Sequence, residues 1–189
     1  MDTRQKLLQV ALNLFSRYGY DAVGVQTIVE EAGVTKPTLY HYFGSKQGLF
    51  ETLVKEKSQS LLEAIQLASA YHGDITKSIK DVVNEYFKYA QAQPTFYRMI
   101  LSLWFAPPSS EYSGVVQELL LEQTRLLEAM FEAAVQNHGN MRGRHQQYAV
   151  SLKGMIDTYI GLSFQGHIQL NDNVLNHKIV HQFMHGIFS

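Results

Sequence analysis

Residues 33–46 read GVTKPTLYHYFGSK. Glycines stand at positions 33 and 44, and between them Leu39 and Phe43 are apolar and four residues apart, one turn of a helix. Thr35 stands where a helix N-cap is expected. Pro37 falls in the first turn, where a missing N–H costs nothing. The spacing predicts a short helix that buries Leu39 and Phe43. Two turns of helix are not stable alone in water, so neighbouring elements must hold it.

Working back towards the N-terminus, Val25–Ala32 reads as another short helix, with Gly24 as a permissible cap, Ile28 and Val29 inward and Gly33 at its end. Before it, Asp2 and Gln5 resemble a capping pair, and Leu7, Ala11, Leu14, Phe15 and Tyr18 form one stripe that Gly19 stops. Two short helices joined by a glycine-containing turn are a helix-turn-helix pattern. The outer face of the second is then free to enter a major groove, which is wide enough for one α-helix. Thr35, Tyr40, His41, Tyr42 and Lys46 can donate to phosphate oxygens, contacts that set register without reading sequence. Lys36 can reach guanine acceptors, and Pro37 and the Thr38 methyl can lie on a thymine methyl. The helix N-terminus adds backbone N–H groups and a partial positive charge. A solvated helical hairpin in any α-helical domain has the same pattern, so the residues alone leave both readings open.

Towards the C-terminus, Leu49, Phe50, Leu53, Val54, Leu61, Leu62 and Ile65 keep a helical period from the Gly44–Ser45–Lys46 turn to near Ala70. His72–Gly73–Asp74 breaks the chain and caps a helix bearing Ile75, Ile79, Val82, Val83, Tyr86, Phe87 and Ala90. Pro94 opens the next, and residues 106–110 (APPSS) form the clearest loop. Three more helices follow: Val116 to Ala134, Tyr148 to Ile160, and Leu175 to Ile187. No strand pattern, repeat or low-complexity tract is found. The expectation is an all-α fold of about nine helices, with a three-helix domain over 1–46 and a larger helical domain over 47–189.

The composition fits this reading. Of 189 residues, 46% are hydrophobic, enough for a folded core. The absence of cysteine excludes disulfides, thiolate metal sites and a cysteine nucleophile. The N-terminal stretch lacks the apolar run of a signal peptide, and no segment reaches the roughly 18 apolar residues of a membrane span, so a cytoplasmic protein without membrane partners is expected. Net charge is −1; residues 1–46 hold five Lys/Arg against four Asp/Glu, a net of +1. Bulk charge alone does not point to nucleic acid.

The run AGVTKPTLYHYFGSKQGLF (Ala32–Phe50), preceded by LFSRYGYDAVGV and TIVEEAG, closely resembles the DNA-binding domain of the TetR family of transcriptional regulators. That resemblance implies that Gln26, Thr27, Lys36, Pro37, Thr38 and Tyr40 approach bases or adjacent backbone, and that Thr35, His41, Tyr42 and Lys46 hold phosphates. Two positions depart from the family pattern. Gly24 stands where Ser or Thr often caps the second helix, and Tyr42 replaces a common histidine.

The same resemblance implies a ligand-binding, dimerising second domain. Tyr86, Tyr89, Phe96, Met99, Trp104, Phe131, Met155 and Tyr159 are material for an apolar pocket lined with a few hydroxyls, although simple core packing accounts for the same residues. Gly154 and Gly161 lie seven apart on one side of the penultimate helix, each costing about 1 kcal/mol against alanine, which close helix approach would offset. The resemblance implies that the last two helices of each subunit form a four-helix interface in a homodimer. His177, His181 and His185 recur every fourth residue on the polar side of the last helix, a wet or interface-rim face rather than a metal site. His167 and Asp157, placed in the penultimate helix, are candidates for a polar contact inside a pocket, although satisfied core or interface residues account for them as well.

No phosphate-binding glycine loop, HExxH or Gly-x-Ser-x-Gly is present, and no catalytic set or cofactor is expected. The expected function is a ligand-responsive transcriptional regulator, a repressor, that binds palindromic double-stranded operator DNA as a homodimer and is released by a small, largely apolar effector of unknown identity. The alternative is an all-helical protein-interaction module that does not bind DNA.

Overall fold

The computed structural model describes residues 2–170 and 173–186. Among them all regular structure is helical: α1 (Thr3–Tyr18), α2 (Val25–Ala32), α3 (Lys36–Phe43), α4 (Lys46–Ala68), α5 (Ile75–Ala92), α6 (Pro94–Leu103), α7 (Ser113–Ala134), α8 (His145–Phe164) and α9 (Asn173–His185), with a short 3-10 turn at Gly139–Met141. The caps explain several boundaries. Asp2 accepts from the Gln5 N–H at 2.8 Å and Asp74 from that of Lys77 at 2.9 Å, each satisfying a donor that the helix start leaves open. Gly33, at φ 63° and ψ 38°, closes α2 in the left-handed region, and the Val34 N–H turns back to the Val29 carbonyl.

The chain forms two compact units, one of Met1–Gln59 with Thr95–Glu118, the other of Ser60–Pro94 with Leu119–Ser189. In the first, α1 packs on α2 and α2 on α3. Leu7, Leu8, Ala11, Leu12 and Phe15 supply the buried face of α1. The expected stripe is corrected at its end: Tyr18 is exposed, with the Arg17 guanidinium 5.1 Å from its ring centroid. The chain turns at Gly19 and places Tyr20 in the core instead. Phe43 is also corrected, to half-buried, with the Arg4 guanidinium 5.7 Å from its ring, while Leu39 is fully buried. The short helix is thus anchored chiefly by one leucine.

Tyr20 organises the first unit. Its ring lies 5.2 Å from Phe15, 5.1 Å from Phe50 and 4.8 Å from Tyr112, centroid to centroid. Such aromatic pairs contribute about 0.5–1.5 kcal/mol each beyond the area they bury. Its hydroxyl donates to Glu111 at 3.0 Å, and the Tyr112 hydroxyl donates in the other direction to Asp21 at 3.4 Å. Burial, and then the Glu111 carboxylate, push the Tyr20 phenol well above its ordinary range. From the start of α4, the Lys46 ammonium donates to the Tyr20 and Val23 carbonyls, both at 3.2 Å, and sits 4.0 Å from the centre of the Tyr20 ring.

The α3–α4 corner is tight. Ser45 caps α4 by accepting from the Gly48 N–H at 2.9 Å. A β-carbon on Gly48 would meet the Phe43 carbonyl oxygen at 2.1 Å, so no other residue fits without moving backbone.

In the second unit, α5 packs on α8 and α9. Val82, Val83, Tyr86, Phe87, Leu152, Ile156, Ile160, Ile179 and Val180 are buried there, and Asn176 donates to Asn84 at 2.8 Å across α9 and α5. Ile187, expected in the last helix, lies outside the described residues. His167 is corrected: it is exposed and follows the end of α8. Among the described residues no helix is long and apolar enough to cross a membrane.

Two substitutions test this framework by urea denaturation. Gly48→Ala should destabilise by about 1–3 kcal/mol through overpacking, although alanine is the better helix former by about 1 kcal/mol; an unchanged or raised midpoint would contradict the tight corner. Lys46→Met keeps the stem but removes the donors, and should cost about 1–3 kcal/mol by leaving the two carbonyls underbonded. No loss would mean that the two carbonyls are satisfied without it.

Candidate nucleic-acid interface

On α3 successive residues turn by about 100°, so Pro37 and His41 lie opposite the buried Leu39, with Thr38 and Tyr40 beside them. The exposures agree. Lys36, Pro37, Tyr40, His41 and Tyr42 are exposed and Thr38 is half-buried. Tyr40 and Tyr42 present 47% and 43% of their surface, high for aromatic side chains on a packed helix. On α2, Gln26 and Thr27 are exposed, opposite the buried Ile28, Val29 and Ala32.

Local hydrogen bonds hold several of these side chains. Gln26 donates to Glu30 on the same helix. The Thr35 and Thr38 hydroxyls are bonded to each other at 2.9 Å. Thr35 is therefore the N-cap of α3 by position only, because its side chain makes no bond to a first-turn N–H. The N-terminus of α3 also offers fewer open donors than its sequence promises. Pro37 has none, and the Thr38 and Leu39 N–H groups both turn back on the Thr35 carbonyl, at 3.1 and 3.3 Å. His41 and Tyr42 stand edge to face at 5.3 Å, which stiffens both rings.

Lys46 is half-buried, and its ammonium is engaged by the two carbonyls of the α1–α2 loop. Lys36 is the one Lys or Arg of α2 and α3, while Glu30 and Glu31 are exposed at the end of α2. The surface is polar, aromatic and close to neutral. It matches shape and hydrogen bonding more than it provides an attractive field.

The pocket candidates divide between the two units. Phe96, Met99 and Trp104 belong to the first unit; Tyr86, Tyr89, Phe131, Met155 and Tyr159 belong to the second. Tyr86, Tyr89, Phe96, Met99 and Phe131 are buried, and Trp104, Met155 and Tyr159 are half-buried. Phe131 packs with Tyr148 at 5.6 Å and Phe183 at 6.0 Å as an aromatic core cluster. Tyr86 instead faces a group absent from the sequence-based candidates: Lys153, whose ammonium is 5.3 Å from the Tyr86 ring and is paired with Asp157. Its sequence signal was a Lys and an Asp four apart within an otherwise apolar helix.

The histidines of α9 are exposed, with ring centroids 6.2 Å apart for His177–His181 and 4.5 Å for His181–His185. Among the described residues no group of three or more His, Cys, Asp or Glu is arranged to hold a metal ion.

Residues 7–53, which span α1 to α3 and the start of α4, match the family described as "Bacterial regulatory proteins, tetR family". The HTH-type transcriptional activator FasR of Mycolicibacterium smegmatis is 29% identical over 99 residues, 52% of this chain and 45% of FasR. The chain spans about half the length of the curated relatives it matches. A candidate fatty acid metabolism regulator of Clostridium perfringens shares the fold over 97% of this chain and 99% of its own, with a TM-score of 0.85 and 19% identity. The transcriptional regulator FadR of Bacillus subtilis, solved in complex with stearoyl-CoA, does so over 97% and 98%, with a TM-score of 0.79 and 18% identity. At such identities the likeness is one of fold. Residues 7–53 thus match the helix-turn-helix of the TetR family of bacterial regulatory proteins, and the all-α fold is shared along almost the whole chain.

Proposed function

We propose that this chain is a ligand-responsive repressor that binds palindromic operator DNA as a homodimer and is released by a small, largely apolar effector. The observation that carries the reading is the outer face of α3. Lys36, Pro37, Tyr40 and His41 are exposed on a helix held from behind by Leu39, so they are not needed for folding and are available to a groove. Gln26, Thr27, Thr38 and Tyr42 flank that face, and Thr35 and Lys46 supply phosphate contacts. Lys46 spends two of its three N–H donors on carbonyls and has one for a phosphate. The DNA-binding domain on this reading is residues 1–46, and 47–189 senses and dimerises.

Supporting the dimer is the exposed side of α8. Val150 is 57% exposed, and Gly154 and Gly161 share its side of the helix. A β-carbon on either glycine would meet nothing within 4 Å, so no contact within the subunit calls for glycine there. Close approach of the same helix from a second copy does, and it offsets the roughly 1 kcal/mol each glycine costs. For the response, residues 95–118 belong to the same unit as the DNA-facing helices and are tied to them by the Tyr20–Glu111 and Tyr112–Asp21 bonds. Helices α4 and α7 each run from the first unit into the second. An effector with different affinities for the two arrangements of these helices shifts the dimer away from operator spacing. FadR's stearoyl-CoA supports an effector with a long apolar part. FasR is named an activator, so reporter transcription measures the sign of regulation.

Lys36 discriminates better than Lys46, whose replacement disturbs the fold. Lys36→Ala should leave the melting temperature unchanged, weaken operator binding about tenfold or more and relax the preference for guanine at the position it reads. Unchanged affinity and specificity would refute the assigned face, and wild-type protein that dimerises but binds no genomic fragment would favour a protein-interaction module. In sedimentation velocity, Gly161→Arg should run as a monomer and lose operator affinity by at least about tenfold as the two half-sites uncouple; a persistent dimer would remove α8 from the interface.

A further inference from the structure

The second unit buries polar groups for which DNA binding has no use. Lys153 and Asp157 lie one turn apart on α8, their side chains only 5% and 7% exposed, and form an ion pair. Tyr86, fully buried on α5, lies against them, with the Lys153 ammonium 5.3 Å from its ring. The Tyr86 hydroxyl has no hydrogen-bond partner. A buried, unsatisfied hydroxyl is destabilising, and a buried ion pair is often no better for stability than apolar residues of the same volume. Phenylalanine at 86 would fill the same space without an orphaned donor. The cluster therefore has no account in folding alone.

A groove of about 490 Å³ lies further along the α5–α8 seam, lined by Ala90, Gln91 and Pro94 at the end of α5 and by Ser163, Phe164 and Leu170 at and beyond the end of α8. Ala90 is one turn beyond Tyr86 on α5, and Phe164 two turns beyond Asp157 on α8. The polar cluster therefore lies about 6–10 Å further along the same α5–α8 seam. The volume suits a small-molecule site.

We propose that Tyr86 anchors the effector: its hydroxyl donates to an uncharged carbonyl oxygen on a largely apolar molecule that enters by the α5–α8 groove, with the Lys153–Asp157 pair as a charge-balanced polar wall. This rests on the ligand-responsive reading above and names the chemical class of the ligand. Charge bookkeeping selects the class. A carboxylate head would bring a second negative charge beside the buried Asp157, whereas a ketone or ester oxygen adds none. Burial, and then the Asp157 charge, push the Tyr86 phenol up, so it stays a donor. Burial lowers Lys153 against the opposing pull of Asp157.

The test titrates full-length protein with methyl ketones of roughly eight to twelve carbons, and with alkanoates and alkanes of matching length, following the melting temperature and operator binding in parallel. Ketones should raise the melting temperature, and alkanoates should bind at least about tenfold more weakly. Tyr86→Phe should melt at or above the wild-type temperature without ligand, keep its operator affinity, and bind ketones roughly tenfold more weakly while binding alkanes equally. If Tyr86→Phe melts lower, the double variant Lys153→Met with Asp157→Leu carries the test, with the preference for ketone over alkane expected to fall. Ketone affinity indifferent to these changes, alkanoates that bind as well as ketones, or no ketone response in the wild type would each overturn the proposal. Failure to bind operator would instead strike the regulator reading, and a tyrosine-dependent ketone site would survive it.

Discussion

The first unit depends on how the Lys46 ammonium is held. It is set at the first residue of a helix, where the backbone dipole disfavours a cation, and the Tyr20 and Val23 carbonyls and the face of the Tyr20 ring compensate for that. The arrangement joins the loop after α1 to the start of α4. Tyr20 then carries the constraint on to Phe15, Phe50 and Tyr112 through ring contacts and to Glu111 through its hydroxyl. Residues 20, 46, 50 and 111–112, far apart in sequence, become one rigid corner.

A consequence is that α3 is free of structural duties on its outer side. It is short, its first-turn N–H groups are partly consumed by Thr35, and it buries one leucine completely. What keeps it in place lies at its ends: the left-handed glycine turn before it and the Gly48 contact after it, where the Phe43 carbonyl occupies the space of a missing side chain. An exposed row of lysine, proline, tyrosine and histidine can then be carried with little cost to folding, which is the physical condition for a surface that acts on another molecule.

The second unit has the opposite design. Its core is mostly apolar, yet it keeps a lysine, a carboxylate and an unbonded phenol together under α5 and α8. The formal charges of the lysine and the carboxylate cancel. The cluster's energetic cost is local to a seam whose end is open.

The helices were legible from periodicity, and the bounds of α2 and α3 from glycines, a threonine and a proline, because those signals are local: capping and backbone conformation are decided within a few residues. The exposed face of α3 followed from the same arithmetic. Tyr18 was misplaced because the stripe rule cannot see that the chain turns at Gly19 and supplies Tyr20 to the core instead. Lys46 looked like a phosphate contact, and Glu111, Tyr112 and Lys153 carried no sequence-based expectation. In each case the partner lies on another element or a turn away in a core, and burial is a property of the packed chain. The sequence by itself determined the secondary structure and the family likeness of residues 7–53, through short-range sterics and a contiguous motif. Only the tertiary structure decided which polar side chains are engaged, stacked or buried without a partner, because those states depend on what residues far away in the chain bring within about 3–5 Å.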